Sequence, residues 1–171
     1  MMAYPEILIL RHLSRRSAHG YELRKRIEGT TGIVINNNSL YPALRRFVEA
    51  GAVRMTVEQQ ESRPPRHIYE LTDVGRELLH DLIAEFPAAQ AGDDLEFLTR
   101  LGQFSFLEPA ERLAILDARV TAIMTLADGL ARLSERTSGE YWSSAVVQRS
   151  REQIDAELDW LASLRARASE A

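Results

Sequence analysis

Cysteine is absent from all 171 residues, so disulfides, thiolate metal sites and cysteine nucleophiles are excluded. Lysine is nearly absent as well: of 21 basic residues only Lys25 is not an arginine. No uncharged stretch approaches the ~20 residues needed to span a bilayer. The opening residues, Met1 to Glu6, carry no basic lead ahead of an apolar run. Neither membrane attachment nor a signal peptide is expected, and the expected location is cytoplasmic. Histidine is sparse. His12, His19, His67 and His80 lack the i, i+4 spacing with an acidic helper that a helical zinc site uses, so no metal is expected. His19 is expected to order a turn, and the other three to lie on the surface or in a loop. Ser138 and Ser143 have no evident base, and Gly20 has no companion glycines to cradle a phosphate. Asp93-Asp94-x-Glu96 reads as a helix start, where acidic groups suit the helix dipole, rather than as a carboxylate pair. No enzyme activity and no cofactor are expected.

The residues that are present suffice for a core: 45% are hydrophobic, and the length fits one domain or two small ones. The formal charge of -4 argues against indiscriminate binding of nucleic acid by the whole chain. Its distribution is uneven. Residues 1–85 hold 12 Arg/Lys against 11 Asp/Glu, and residues 86–171 hold 9 against 14. The basic groups therefore concentrate in the first half.

A first helix should begin near Pro5, a favoured first-turn residue, and bury Ile7, Leu8, Leu10 and Leu13. Ser17 to Gly20 breaks it. A second helix runs from about Tyr21 to Glu28 and ends at Gly29 to Gly32. Asn36-Asn37-Asn38 forms a turn, and Asn38 or Ser39 can cap a third helix reading Ser39 to Phe47 and ending near Gly51. Leu40, Leu44 and Phe47 take its buried face, Pro42 its first turn. Val53, Met55 and Val57 then alternate with polar residues, as a half-exposed strand should. A polar, proline-bearing loop from Gln59 to Arg66 leads to a return strand, His67 to Leu71. Thr72-Asp73 caps a fourth helix. This order of helices followed by a two-strand loop is the layout of a winged helix-turn-helix.

Phe86 to Gly92 is the expected seam between modules. Leu95 to Phe106 reads as a short helix and Pro109 opens a long one. In that long helix Leu113, Leu116, Val120, Ile123, Ala127 and Leu130 step three and four residues at a time, a heptad seam. Ser138-Gly139 breaks it before a final helix, about Glu140 to Arg167. Two long helices with one apolar face each are expected to seek a second copy. The expected dimer interface is Leu113, Leu116, Val120, Ile123 and Leu130 with Ile154, Leu158 and Leu161.

The third helix offers the groups that read DNA. A B-form major groove admits one helix, whose first residues face the base edges. Asn can make two hydrogen bonds to adenine and Arg two to guanine, while hydroxyls and helix-start amides hold phosphates. Asn37, Asn38, Ser39, Tyr41, Arg45 and Arg46 supply these groups. A plainer alternative stays open: a turn plus cap, with Tyr41 partly in the core. Arg63 and Arg66, separated by two prolines, can reach phosphates or a narrow minor groove, or they can form a solvated charged loop. Phe104, Phe106, Tyr141, Trp142 and Trp160 could line a pocket for a flat aromatic effector, or simply be core.

Several segments taken in order resemble the PadR family of transcriptional regulators: His19-Gly20-Tyr21-Glu22-Leu23, Ser39-Leu40-Tyr41-Pro42-Ala43-Leu44, Glu49-Ala50-Gly51 and Arg63 through Gly75. Leu95 to Leu101 resembles the segment opening the C-terminal region of members with a longer tail. The resemblance covers roughly the first 105 residues. It implies a homodimer that sets two recognition helices on a pseudo-palindromic operator of double-stranded DNA, and repression relieved by a small, often aromatic, molecule. By position it assigns Ser39, Tyr41, Arg45 and Arg46 to the recognition helix and Arg63 and Arg66 to the wing. Three departures stand out. Asn38 replaces a common glycine, Pro64-Pro65-Arg66 replaces Pro-Arg, and His67-Ile68 replaces a more basic or aromatic pair.

The expectation is therefore a mainly α protein with a small β-hairpin wing. A winged helix-turn-helix DNA-binding domain occupies residues 1–86, and a helical dimerisation and effector-sensing arm occupies 93–171. It would be associated with the bacterial nucleoid when on DNA. A MarR-like dimer is disfavoured because only six residues precede the first core helix. The alternative of another class is a winged-helix protein-interaction module without operator binding.

Overall fold

Pro5 falls in the first turn of helix α1 (Tyr4–Arg15), where its missing N–H costs the helix nothing. The computed structural model describes residues 3–60, 63–136 and 140–170, and side chains at all of these except 60, 63–65 and 133–136. Ile7, Leu8, Ile9, Leu10 and Leu13 of α1 are buried, each burial contributing about 1.5–3 kcal/mol against exposure. A two-residue strand β1 (Ala18–His19) follows, then α2 (Gly20–Thr31), which stops at Gly32 with φ 70°, a left-handed C-cap. The predicted end of α2 was too early: Gly29, Thr30 and Thr31 are still helical.

Helix α3 (Asn37–Glu49) begins two residues earlier than the sequence suggests. Its N-cap is Asn36, whose Oδ1 accepts from the Ser39 amide at 2.8 Å; neither Asn38 nor Ser39 caps it. Pro42 consequently lies in the second turn. Strands β2 (Val53–Gln60) and β3 (Arg63–Leu71) form an antiparallel hairpin, and β1 adds to the far edge of β3, giving the order β1-β3-β2. Both long strands reach further into the predicted loop than expected. Ala18 pairs with Tyr69 and Val53 with Leu71. Val53, Tyr69 and Leu71 are buried, but Met55 and Val57 are exposed, so the strand's apolar alternation outlasts its burial. Thr72 caps α4 (Asp73–Ala84): its hydroxyl accepts from the Gly75 amide at 3.1 Å.

The chain divides into two compact units, Met1–Ile83 and Ala84–Ala171. The second contains α5 (Ala88–Ala91), α6 (Asp94–Leu101), a 3-10 turn (Phe104–Phe106), α7 (Pro109–Arg136) and α8 (Tyr141–Ala168). The expected single helix over Leu95–Phe106 is thus two pieces. The expected seam, Phe86–Gly92, is tied into this unit. Phe86 stacks on Phe97, and the buried Arg100 donates to the Glu85 carbonyl, to Gln90 and to Glu96. Asp93 caps α6 as expected of a helix start, while Glu96 turns inward to meet Arg100 at 2.6 Å, both 1% exposed.

Helices α7 and α8 pack antiparallel on each other within the chain. Arg112 donates to the Glu170 carbonyl, Arg165 pairs with Asp117, and Arg119 pairs with Glu157 at 2.9 Å. Four of the eight residues expected at the dimer interface are thereby taken up inside the chain. Leu116 and Ile123 of α7 and Ile154 and Leu161 of α8 are buried inside the unit, and Leu113, Val120, Leu130 and Leu158 are half-buried. The α7 seam thus faces the chain's own α8 over at least part of its length. The proposed break at Ser138-Gly139 lies outside the described residues. Among the described residues no helix is long and apolar enough to cross a membrane.

Candidate nucleic-acid interface

One face of α3 is fixed by the core. Leu40, Ala43, Leu44 and Phe47 are buried, against α1, α2 and β2. Of the remaining positions, Asn37, Asn38, Ser39, Tyr41, Pro42, Arg45, Arg46 and Glu49 are exposed. Asn38, Pro42, Arg45 and Glu49 step four, three and four, so they share the face opposite the core. Pro42 has no N–H to give the Asn38 carbonyl, so the usual i to i−4 helix bond cannot form there. An acceptor is left at the start of the exposed face.

The two arginines of this helix separate. Arg45 is exposed and has no ion-pair partner among the described residues. Arg46 instead turns back and meets Glu6 of α1 at 2.5 Å. Both arginines are exposed, Arg45 without an ion-pair partner among the described residues and Arg46 paired with Glu6 at the surface.

Tyr41 lies over the start of α2. A Cβ added to Gly20 would sit 2.7 Å from its Cε1, so only glycine allows this approach. Tyr41, His19, Gly20, Tyr21, Arg66 and His67 are among the residues around a concavity of about 500 Å³. Helix α3, the first turn of α2 and strand β3 therefore meet at one place. Arg66 projects from β3 opposite Glu58 of β2 and is exposed. Arg63 stands opposite Gln60 at the hairpin end, and its side chain lies outside the described residues. A second hollow, about 350 Å³, has Tyr41, Arg45, Met55 and Tyr69 on its walls.

Two residues of this surface escaped the sequence reading. Tyr21 is 58% exposed in the first turn of α2, with the Lys25 ammonium 5.0 Å from its ring centre and the Arg24 guanidinium 5.7 Å away. A tyrosine hydroxyl and two cations near a helix start are phosphate-holding groups. The i, i+3 and i, i+4 spacing of Tyr21, Arg24 and Lys25 was the available signal. His19, expected only to order a turn, does more. Its Nδ1 donates to the His67 carbonyl at 3.3 Å, and its Nε2 stands 3.6 Å from Glu58, linking α2 to the hairpin.

The aromatic set expected around an effector does not converge. Tyr141 and Trp142 touch edge to face near the start of α8, both about three-quarters exposed. Trp160 packs edge-on against Phe97, 6.1 Å away, and borders a groove that includes none of the other four. Phe104 and Phe106 belong to the 3-10 turn.

Residues 9–81 match the transcriptional regulator PadR-like family. A probable transcriptional regulator of Mycobacterium tuberculosis is 31% identical over 86 residues, which are 49% of this chain and 45% of that protein. The chain thus spans under half the length of this curated relative. Among solved structures, Bacillus subtilis PadR in complex with operator DNA is 22% identical, covering 95% of this chain and 97% of its own, with a TM-score of 0.44. A PadR family transcriptional regulator from Eggerthella lenta is 32% identical over 47% of this chain and 72% of its own, with a TM-score of 0.41.

Proposed function

Since the chain belongs, through residues 9–81, to the PadR-like family of transcriptional regulators, we propose that it binds a pseudo-palindromic operator as a homodimer and represses by covering a promoter. The observation that carries this reading is the exposed face of α3. It sets Asn38, Tyr41 and Arg45 in a row above a fully buried opposite face, with Arg66 of the hairpin beside it. Asn38 and Arg45 have the geometry to bond adenine and guanine edges. Tyr41, Tyr21 and the wing arginines Arg63 and Arg66 hold the backbone and set the register. Asn37 and Ser39 lie at the helix start, where amides face a phosphate. A small aromatic effector would act by changing the distance between the two reading helices. Half-sites lie a fixed helical turn apart, so a shift of a few ångströms would release one of them.

The test is a pair of substitutions on an operator selected from random duplexes. Arg45→Ala should lose about 1–3 kcal/mol of specific binding and relax the preference at one base pair of each half-site. Arg46→Ala should retain most of its base preference and lose thermal stability instead, because its partner is Glu6. Unchanged base preference in Arg45→Ala, or binding that ignores salt concentration, would point away from DNA and towards a protein partner.

A further inference from the structure

Strand β2 keeps its apolar alternation past the point where the core ends. Val53 is buried, Met55 is 41% exposed and Val57 50% exposed. Alternate residues of a strand share a face, and the register sets Tyr69 opposite Met55 and His67 opposite Val57. One face of the hairpin therefore begins in the core at Val53 and Leu71 and continues outward uncovered. Exposed apolar residues scattered singly are ordinary. Met55 is not one of these, because it meets the exposed side of α3.

The meeting place is the hollow of about 350 Å³ with Tyr41, Arg45, Val48, Glu49, Met55 and Tyr69 on its walls. Its charged groups are one cation, Arg45, and one anion, Glu49, both exposed. Together they give no net attraction for a phosphate. The concavity that shares Tyr41 differs. It holds Arg66 and Tyr21, and its carboxylate, Glu22, is already paired with Arg16 and Arg26. Tyr41 thus borders one hollow suited to the DNA backbone and another suited to a less polar group.

Among the major-groove edges of the base pairs, the apolar group is the C5 methyl of thymine. We propose that the hollow takes this methyl, with Met55 and the Tyr41 ring closing on it beside the base that Arg45 bonds. This rests on the operator binding proposed above and names a base that each half-site must hold. Arg45 selects its base by hydrogen bonds, and Met55 selects a neighbouring one by shielding its methyl from water. An unbranched thioether suits the task, since it adjusts to an irregular gap. The Tyr41 hydroxyl stays available to the backbone while its ring forms the wall.

Deoxyuridine tests this directly, because it differs from thymidine only in lacking the methyl. An operator is selected from random duplexes with the full chain, and each thymine is exchanged for uracil in turn. The exchange should weaken binding roughly fourfold per half-site, the worth of one buried carbon. It should do so at a thymine next to the base pair whose preference relaxes in Arg45→Ala. Met55→Ala should bind the thymine operator about as weakly as the wild type binds the uracil one, and should no longer tell them apart. Met55→Leu, apolar and of similar volume, should keep the preference. Circular dichroism of both variants should match the wild type. Wild-type affinity that ignores every exchange would overturn the role of the hollow and leave operator binding standing. A thymine preference that survives in Met55→Ala would also overturn it, since the methyl would then be read elsewhere. A chain that selects no duplex would remove operator binding, and this assignment with it.

Discussion

His12 shows what a single residue's pattern conceals. Sequence placed it on the surface, yet it is 5% exposed between α1 and α2. The Leu8 carbonyl can only accept, so Nδ1 carries the proton and donates to it at 2.7 Å. Nε2 stands 2.8 Å from the Thr30 hydroxyl, whose proton it shares with the Arg26 carbonyl. Burial pulls the His12 imidazole below the ordinary histidine pKa; the Leu8 carbonyl opposes this, and Arg15, Arg26 and Arg11 add to it. The fold therefore favours the neutral ring, and the unfolded chain binds more protons between the two pKa values. The stabilisation is complete above the unfolded value of about 6.5 and is lost as pH falls towards the folded one. Urea midpoints between pH 8 and pH 5 should decline through that window, and His12→Gln should flatten the decline. Arg45 and Arg46 teach the same lesson. They are neighbours with one residue type and one predicted role. A contact forty residues away, with Glu6, engages only the second of them.

Among elements, those with a long period were legible and those defined by contact were not. The apolar spacing of α1 and α3 gave their buried faces. The alternation through Val57 gave the hairpin. Strand β1 has two residues, too few to show any period, and exists only because β3 accepts it. The α3 cap was misplaced because three adjacent asparagines can each cap a helix, and which one does depends on where the chain enters. The α7 seam was legible in its period, but spacing says only that a helix face is covered and not by what; α8 of the same chain covers part of it. Gly75, quoted only as part of a motif, proves to be the contact point between α4 and the hairpin. A Cβ there would lie 2.1 Å from the Ala52 carbonyl oxygen and 2.6 Å from Leu71 Cδ1. Backbone cannot yield as a side-chain tip does. Gly75→Ala should destabilise the fold by about 1–3 kcal/mol, read as a lower thermal midpoint, whereas alanine at the unobstructed Gly29 should not.

At the scale of the whole molecule, the division of labour follows the charge distribution already present in the sequence. The first unit holds the arginines of α3 and the hairpin. The second holds the acidic excess, and its buried Arg100 and Arg119 pair with part of it, Arg100 with Glu96 and Arg119 with Asp94 and Glu157. What one chain cannot display is the relation between two, and the regulatory reading depends on it. Two α3 helices must meet the same duplex on the same side, one helical turn apart. The most direct test is operator affinity as base pairs are inserted between the half-sites. Five added pairs rotate one half-site by about half a turn, at 10–10.5 pairs per turn. Affinity should fall to that of a single half-site and recover in part when ten are added. Affinity that stays the same at every insertion would contradict a twin-headed reader of DNA.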